Sequence, residues 1–313
     1  MKSFLSVIIC TYNRAQSLAK TLDSLLRQED NGSFNYEVLI IDNNSQDETR
    51  KVAESFVPQF QGKGKLRYIF EPKQGKPYAL NRGIEESQGD ILVFTDDDVI
   101  IGPQWIDSIL KCFKQFDCDG AGGRVLPLYP KGTPRWIKDN PHKMAGGVVI
   151  CDLGLETKKF DENMGKLIGA NFAFKKSTLR ECGNFRTDLY FGKIAVGEDT
   201  ELIQRLLQKN KILYYCGEAT VWHPVDLKRL KFRNAAQWHM SLGRFAAHIE
   251  YEQNGKNMTY LWGIPQYLIK GIVVDGLSFV FRSYSRLSFW NNSRSFFRKW
   301  GMMAEYRSMK KKL

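Results

Sequence analysis

Short runs of consecutive apolar residues alternate along the first hundred residues with segments whose apolar residues recur every three or four positions. The apolar runs predict strands, and they lie at residues 5–10, 36–41, 66–70 and 91–94, with Ser6, Glu37 and Arg67 as their only polar residues. Between them, the helical spacing of Leu18, Leu22 and Leu25 is typical of a helix with one buried face, and two similar segments follow. Strands that alternate with helices predict an α/β fold with a doubly wound, mostly parallel sheet of the Rossmann-like kind.

The second half of the chain divides by composition. It predicts helices after Pro103 and after Gly197, and it predicts strands at 120–125, 167–174, 212–216 and 219–222. From about residue 227 the chain becomes basic, aromatic and helical in pattern. An apolar stretch at 263–281 is interrupted by Pro265, Lys270 and Asp275, which makes it a poor membrane-spanning candidate. We therefore predict a catalytic domain at 1–225 and a helical C-terminal appendage at 226–313.

Charge adds a hypothesis about partners. The chain carries a formal net charge of +12, and residues 225–313 hold 16 Lys/Arg against 5 Asp/Glu. Arginines alternate with aromatic residues between positions 282 and 300, which is typical of a helix in a membrane interface. The alternatives are a basic appendage that only packs on the protein, or a nucleic-acid-binding tail, although no nucleic-acid motif is present. The six cysteines form no CxxC pair, so we expect free thiols and a reducing compartment.

Polar residues follow the predicted strands where each strand ends, and the strand at 91–94 ends in Asp96, Asp97 and Asp98. Three adjacent carboxylates repel one another, and a hard cation such as Mg²⁺ or Mn²⁺ resolves that repulsion with oxygen ligands. Ligands of open α/β sheets bind at the carboxyl ends of the strands. The alternative interpretation of the triplet is a solvated acidic turn.

Three strand-end segments (residues 11–14, 42–47 and 95–98), together with 169–171 and 198–199, resemble the motifs of family 2 glycosyltransferases with the GT-A fold. The resemblance covers roughly residues 4–225. It implies donor-binding roles for Thr11, Tyr12, Asn13, Arg14, Asp42, Asn44, Lys76, Arg82, Asp96, Asp97 and Asn171. Asp42 would accept a hydrogen bond from the uracil base; its alternative role is a helix cap. Lys76 and Arg82 could equally be solvated surface charges.

The resemblance also implies the chemistry of the site. Asp98 is expected to bind the metal directly, with Asp96 and His223 as further candidates, although a lone histidine is more often structural. Asp199 is expected to be the general base that takes the proton of the acceptor hydroxyl, with Glu198 in support. The implied reaction inverts the anomeric carbon.

The sequence thus predicts an inverting glycosyltransferase that uses a nucleotide diphosphate sugar, UDP-linked, with Mg²⁺ or Mn²⁺ and a glycan or lipid-linked acceptor. It lacks the Gln-x-x-Arg-Trp pattern of processive synthases, which favours one sugar per event. We expect it in the cytoplasm, peripheral on the inner face of the cell membrane through 226–313, and without nucleic acid. The alternative functions are a nucleotidyltransferase, which usually has a Gly-rich first loop, and a nucleic-acid-binding protein.

Overall fold

A computed structural model describes residues 3–29, 34–144, 146–189 and 197–310. These residues fall into two compact units. The first unit comprises the described residues of Met1–Pro130, Val149–Thr187 and Glu198–Pro224, and the second comprises those of Lys131–Val148, Asp188–Gly197 and Val225–Leu313. The division into a catalytic domain at 1–225 and an appendage at 226–313 stays a prediction about function.

The first unit contains a sheet and the helices that connect its strands. Its strands are β1 (Ser3–Thr11), β2 (Phe34–Asp42), β3 (Lys65–Phe70), β4 (Ile91–Asp96), β5 (Ile100–Ile101), β6 (Gly120–Leu128), β7 (Thr157–Lys159), β8 (Asn171–Lys175) and β9 (Leu213–Pro224). Its helices are α1 (Ala15–Leu25), α2 (Thr49–Phe56), α3 (Lys76–Glu86), α4 (Trp105–Phe116), α6 (Lys176–Cys182) and α7 (Glu198–Gln208); α5 (Arg135–Lys138) belongs to the second unit.

Within the described ranges, the sheet has the strand order β3-β2-β1-β4-β8-β6-β9-β5, and β7 pairs with β9. The strands β3, β2, β1 and β4 are parallel. The strand β8 runs antiparallel between β4 and β6, and β6 is again parallel to β9. The predicted α/β fold is therefore confirmed, and its second half is a mixed sheet.

The parallel half of the sheet follows from the apolar runs in the sequence. Val7, Ile8 and Ile9 are fully buried, so β1 is covered on both faces, as parallel strands require. On one face, α3 packs closely on β1, because a Cβ atom added at Gly83 would lie 2.5 Å from Ile8 Cγ2. In register, Thr11 pairs with Asp42 and Cys10 pairs with Asp96, so the polar ends of β1, β2 and β4 lie side by side.

Two predicted boundaries differ from the structure. The strands expected at 212–216 and 219–222 are one strand, β9, because its ladder with β6 resumes after an irregularity between the pairs Gly123–Cys216 and Arg124–Thr220. The strand expected at 167–174 begins only at Asn171, since the Asn171 N–H donates to the Ile168 carbonyl across a turn. All six cysteines are free, as predicted.

The second unit is mostly helical. It contains α8 (Phe232–Asn254), a hairpin of β10 (Tyr260–Leu261) and β11 (Ile264–Pro265), α9 (Gln266–Phe281) and α10 (Arg286–Lys310). The helices α8 and α10 approach closely, because a Cβ atom at Gly243 would meet the Arg298 carbonyl. Three aromatic residues predicted for a membrane interface pack within this unit. The rings of Phe289, Phe296 and Phe297 lie against the ring of Phe279. Among the described residues, no helix has the length and apolar character needed to cross a bilayer.

Candidate active site

The segments that follow β1 and β2 are joined to each other by backbone and side-chain hydrogen bonds. The Asn43 N–H donates to the Thr11 carbonyl (2.9 Å), and the Asn13 N–H donates to Ser45 Oγ (2.8 Å). The Gln46 N–H in turn donates to Asn13 Oδ1 (2.7 Å). Two of the predicted donor-binding segments therefore form one rim at the carboxyl edge of the sheet.

Asparagine supplies the unusual backbone conformation that this rim needs. Asn13 has φ +51° and Asn44 has φ +68°, both in the left-handed region where asparagine is favoured over most residues. The Asn44 side chain also accepts a hydrogen bond from Gln46 Nε2 (3.2 Å). Both asparagines thus build the loops, and their expected contact with a donor stays a prediction. The intervening Tyr12 is 47% exposed and Thr11 is buried.

The carboxylates that follow β4 are held by two cations from other segments. Arg14 Nη1 contacts Asp97 Oδ1 at 2.9 Å and Asp98 Oδ2 at 2.6 Å. Lys76, the first residue of α3, contacts Asp96 Oδ1 at 2.9 Å. The predicted residues of the first loop, of α3 and of the triplet therefore meet in one site.

Burial and these cations change the pKa values of Asp96 and Asp97. Burial would raise the pKa of Asp96, but Lys76 and then His223 outweigh it and lower the pKa to about 2. Burial raises the pKa of Asp97 to about 6 although Arg14 opposes it. Burial would lower the pKa of Lys76, but Asp96 and Glu198 raise it. Asp96 and Lys76 are therefore a charged pair at neutral pH.

His223, near the end of β9, completes a set of possible metal ligands. Ligand atoms of Asp96, Asp98 and His223 lie within 4.8 Å of one another. Nε2 of His223 lies 3.4 Å from Asp98 Oδ1 and 3.9 Å from Asp96 Oδ2. Its Nδ1 lies 3.0 Å from the Pro224 carbonyl, which can only accept, so Nδ1 carries the proton. Nε2 is then the ring nitrogen that lies towards the two carboxylates.

This donor set fits a divalent cation. Asp98 Oδ1 is buried and has no hydrogen-bond partner among the described residues, which is costly for a carboxylate oxygen unless a cation meets it. Two carboxylates and one imidazole suit manganese, and the carboxylates also suit magnesium. Metal binding by His223 stays a prediction, which this geometry allows.

The catalytic candidates at the start of α7 lie beside the same site. Glu198 Oε1 is 3.7 Å from Lys76 Nζ, so Lys76 lies between Glu198 and Asp96. Burial raises the pKa of Glu198, with Lys76 opposing, and its Oε2 atom has no hydrogen-bond partner in the described part of the chain. Asp199 accepts from the Gly169 N–H (3.2 Å) and from the Thr200 N–H (2.7 Å), which fixes its carboxylate.

Gly169 allows this approach. A Cβ atom at that position would lie 3.4 Å from Asp199 Cβ, in tight contact, so a small residue brings the chain before β8 next to the candidate base. On the β4 side, Thr95 Oγ1 donates to the Ala170 carbonyl (2.8 Å), one residue before Asp96. The segment 169–171 therefore connects the acidic triplet with Asp199.

Asp42 is a buried carboxylate held from two sides. Its Oδ1 accepts from the Ser45 N–H (2.9 Å), and its Oδ2 accepts from the Tyr68 hydroxyl (2.7 Å). The first bond closes a turn and is not the helix cap offered as an alternative role, because the next helix, α2, begins only at Thr49. Since a carboxylate has about four acceptor positions, Asp42 retains capacity for a further donor.

Sequence reasoning missed two positioning residues. Tyr68 anchors Asp42, and its place in an ordinary strand pattern gave no signal. Asn43 Oδ1 accepts from the Gly75 N–H (2.7 Å), and its Nδ2 donates to the Lys73 carbonyl (2.7 Å), so it fixes the loop that leads into Lys76. Its position directly after Asp42 in a strand-end motif was the signal that could have identified it.

Two predicted donor-binding residues are placed elsewhere. Arg82 Nη2 pairs with Glu86 at 2.9 Å, one turn further along α3, and the described contacts do not bring it to the triplet. Asn171 is completely buried, and its side chain is directed into the core. It accepts from Trp105 Nε1 (2.8 Å) and donates to the Arg124 (3.0 Å) and Ala219 (2.7 Å) carbonyls. With both amide hydrogens and one lone pair of the oxygen used inside the core, the Asn171 side chain is structural, which corrects its assignment to the donor site.

A parallel β3-β2-β1-β4 sheet with a carboxylate cluster at the end of β4, continued by antiparallel β8, is the architecture of GT-A glycosyltransferases. The sequence model described as "Glycosyl transferase family 2" matches residues 6–183. The chain belongs to this family, and the predicted family is confirmed.

Relatives and solved structures agree with this assignment. The chain is 38% identical to the glycosyltransferase AglE of Haloferax volcanii over 130 residues, 41% of each chain. It is 26% identical to a glucosyl-dolichyl phosphate glucuronosyltransferase of the same organism over 197 residues, 58% of this chain and 56% of the relative. The matches thus span about half the length of these curated relatives or less.

The fold resembles S. aureus TarS 1–349 in complex with UDP, with a TM-score of 0.56 at 15% identity, covering 96% of this chain and 91% of that one. It also resembles the mannosyltransferase PcManGT of Pyrobaculum calidifontis in complex with GDP-Man and Mn²⁺, with a TM-score of 0.52 at 17% identity, covering 98% and 75%. At these identities the likeness establishes the fold alone.

Proposed function

We propose that this protein is an inverting, metal-dependent glycosyltransferase that moves a sugar from a UDP-sugar to a hydroxyl of a glycan or lipid-linked acceptor. The observation that carries the proposal is the convergence of ligand atoms of Asp96, Asp98 and His223 within 4.8 Å. Lys76 links this cluster to Glu198, the residue before Asp199. Family membership favours this function over nucleotidyl transfer.

The donor nucleotide would lie along the rim formed by residues 11–14 and 42–46. Asp42 is buried, anchored by Tyr68, and able to accept one further hydrogen bond, which suits the N3–H group of uracil. The UDP complex of the TarS neighbour supports a uridine nucleotide. Because the mannosyltransferase neighbour is in complex with GDP-Man, UDP-sugars and GDP-sugars should both be tested.

A divalent cation, Mg²⁺ or Mn²⁺, would be held by Asp98 and His223 together with Asp96. When bound, it supplies positive charge that stabilises a diphosphate leaving group. Arg14 and Lys76 already neutralise part of the carboxylate charge, and the orphaned Asp98 Oδ1 is the atom that most needs such a partner. The Mn²⁺ complex of the mannosyltransferase neighbour supports the same kind of ion.

Asp199 would take the proton from the acceptor hydroxyl as its oxygen attacks the anomeric carbon from the face opposite the nucleotide. The Gly169 and Thr200 N–H groups orient its carboxylate and leave acceptor positions for the proton of the hydroxyl. Glu198 would help to hold Lys76 in its place between the carboxylates of Glu198 and Asp96. Direct displacement by this geometry inverts the anomeric centre.

The acceptor proposal has separate support. One relative is named for action on a dolichyl phosphate-linked sugar, which makes a lipid-linked acceptor reasonable for this chain. The excess of basic residues in 225–313 suits an anionic membrane surface. We propose that the protein works as a peripheral protein at the inner face of the cell membrane.

The experiment is transfer from radiolabelled UDP-sugars to a membrane extract, with nucleotide binding measured in parallel. Asp199→Asn should lower turnover by about 10²- to 10⁴-fold, the range typical for loss of a general base. UDP binding with Mn²⁺ should stay within about twofold of the unaltered protein. Asp107→Asn removes a surface carboxylate of α4 and serves as the control. Undiminished turnover of Asp199→Asn would remove Asp199 from the mechanism.

A further inference from the structure

The helix α9 exposes a continuous apolar face. Val273, Val274, Leu277, Val280 and Phe281 are 57%, 60%, 55%, 70% and 77% exposed. At about 100° per residue these five side chains fall within a sector of roughly 120° of the helix. We call these five residues the outer face of α9. A contiguous exposed surface of this kind marks an interaction site more often than a scattered apolar residue does.

The opposite side of α9 carries the polar contacts. Asp275 forms an ion pair with Lys299 at 2.8 Å and accepts a hydrogen bond from Ser295, both on α10. The Ser278 carbonyl accepts from Asn292 Nδ2 (3.0 Å), also on α10. Leu268, Ile272 and Phe279 add apolar contacts on that side. The helix therefore presents apolar groups both to its own unit and outwards, so its outer face is not the polar face that a helix usually turns to water.

Aromatic and basic residues flank the outer face. Trp262 (76% exposed) and Tyr267 (49%) lie before it along the chain, and Tyr284 (89%) lies after it. Lys270 lies on the same side of α9 one turn before Val274, and Arg282 and Arg286 follow its end. These three cations are exposed and have no ion pair with another described residue. Aromatic rings and cations around an apolar strip are the composition of a helix that lies in the plane of a membrane interface.

We propose that the outer face of α9 is a docking surface for an anionic lipid bilayer, with the helix lying in the plane of the headgroups. Charge complementarity selects this occupant over a second copy of the chain, because a second copy would bring equal positive charge to the same place. Several of the aromatic residues between positions 282 and 300, which were expected at a membrane interface, pack within the second unit. We therefore assign the membrane contact to α9. The inference rests on the proposed function, because it names the helix through which the proposed peripheral membrane contact would be made.

The experiment is flotation of the full chain with vesicles of phosphatidylcholine alone or mixed with phosphatidylglycerol. Leu277→Glu should weaken binding to anionic vesicles by about 30-fold or more, because it removes an inserted apolar side chain and adds a repelled charge. Leu155→Glu is the matched control, since Leu155 is 62% exposed in the first unit. It should bind like the unaltered protein. Arg282→Gln with Arg286→Gln should weaken binding to anionic vesicles by about 30-fold and leave binding to neutral vesicles unchanged.

Other results would overturn the proposal. Equal binding by Leu277→Glu and Leu155→Glu would exclude α9 as the contact, and no binding by the unaltered protein would exclude the bilayer. If sedimentation shows a dimer that Leu277→Glu converts to a monomer without loss of vesicle binding, the surface belongs to a second copy. Hydrolysis of UDP-sugars in vesicle-free solution separates the two proposals: a failure of vesicle binding with hydrolysis intact would leave the proposed chemistry standing.

Discussion

Replacement of Asn171 by leucine tests whether this residue belongs to the core or to the donor site. Leucine has a similar shape but no polar atoms, so the change would leave the Trp105 indole N–H and the Arg124 and Ala219 carbonyls without their partner. Each buried group left unsatisfied costs about 1–3 kcal/mol. The free energy of unfolding should therefore fall by about 3–9 kcal/mol, a large part of the stability of an ordinary domain.

The assay is urea unfolding followed by circular dichroism, with Asn163→Leu as the control because Asn163 is exposed. The control should change the free energy of unfolding by no more than about 0.5 kcal/mol. Adding Trp105→Phe removes one of the orphaned donors. The double variant should therefore be less destabilised than the sum of the single changes, by about 1–3 kcal/mol.

The opposite outcome would refute this assignment. If Asn171→Leu unfolds at the same urea concentration as the unaltered protein but loses affinity for UDP-sugar, the side chain contacts the donor. If the two single changes add without coupling, the Trp105–Asn171 hydrogen bond does not contribute to stability.

Two further predictions concern the metal and acid stability. Asp98→Ala should abolish the Mn²⁺-dependent part of UDP binding in calorimetry, whereas Asp107→Asn should retain it; equal metal dependence in both would exclude Asp98 as a ligand. Burial, with Arg294 and Arg298, lowers the pKa of His239 from 6.5 to about 4, so the unfolded chain binds its proton more readily and stability falls as pH drops from about 6.5 to 4. The loss of stability over this pH range is at most about 3 kcal/mol. In thermal melts, His239→Gln should reduce the dependence of stability on pH, whereas replacement of the exposed His142 by glutamine should not. An unchanged pH dependence in His239→Gln would contradict the reasoning.

Much of the fold followed from local patterns. Mostly apolar runs predicted β1, β2, β3 and β4, because a strand buried on both faces, such as β1 or β4, needs apolar residues on each face. Local patterns did not predict that β9 is one strand, because the pairing that joins its two halves is made with β6, which is far away in the sequence. The mixed direction of β8 was likewise set by its neighbours in space.

The sequence by itself determined where the site would form, since parallel strands carry the residues after their carboxyl ends to a common edge of the sheet. From that rule, the sequence alone predicts that Arg14, Asp42 and the triplet lie at the same edge of the sheet. Only the tertiary structure decided the direction of each polar side chain. Arg82 is held by Glu86, Asn171 by three core partners, and Asp275 of α9 by Lys299 of α10. Periodicity predicts burial along an element, whereas the partners that orient a polar group come from distant segments.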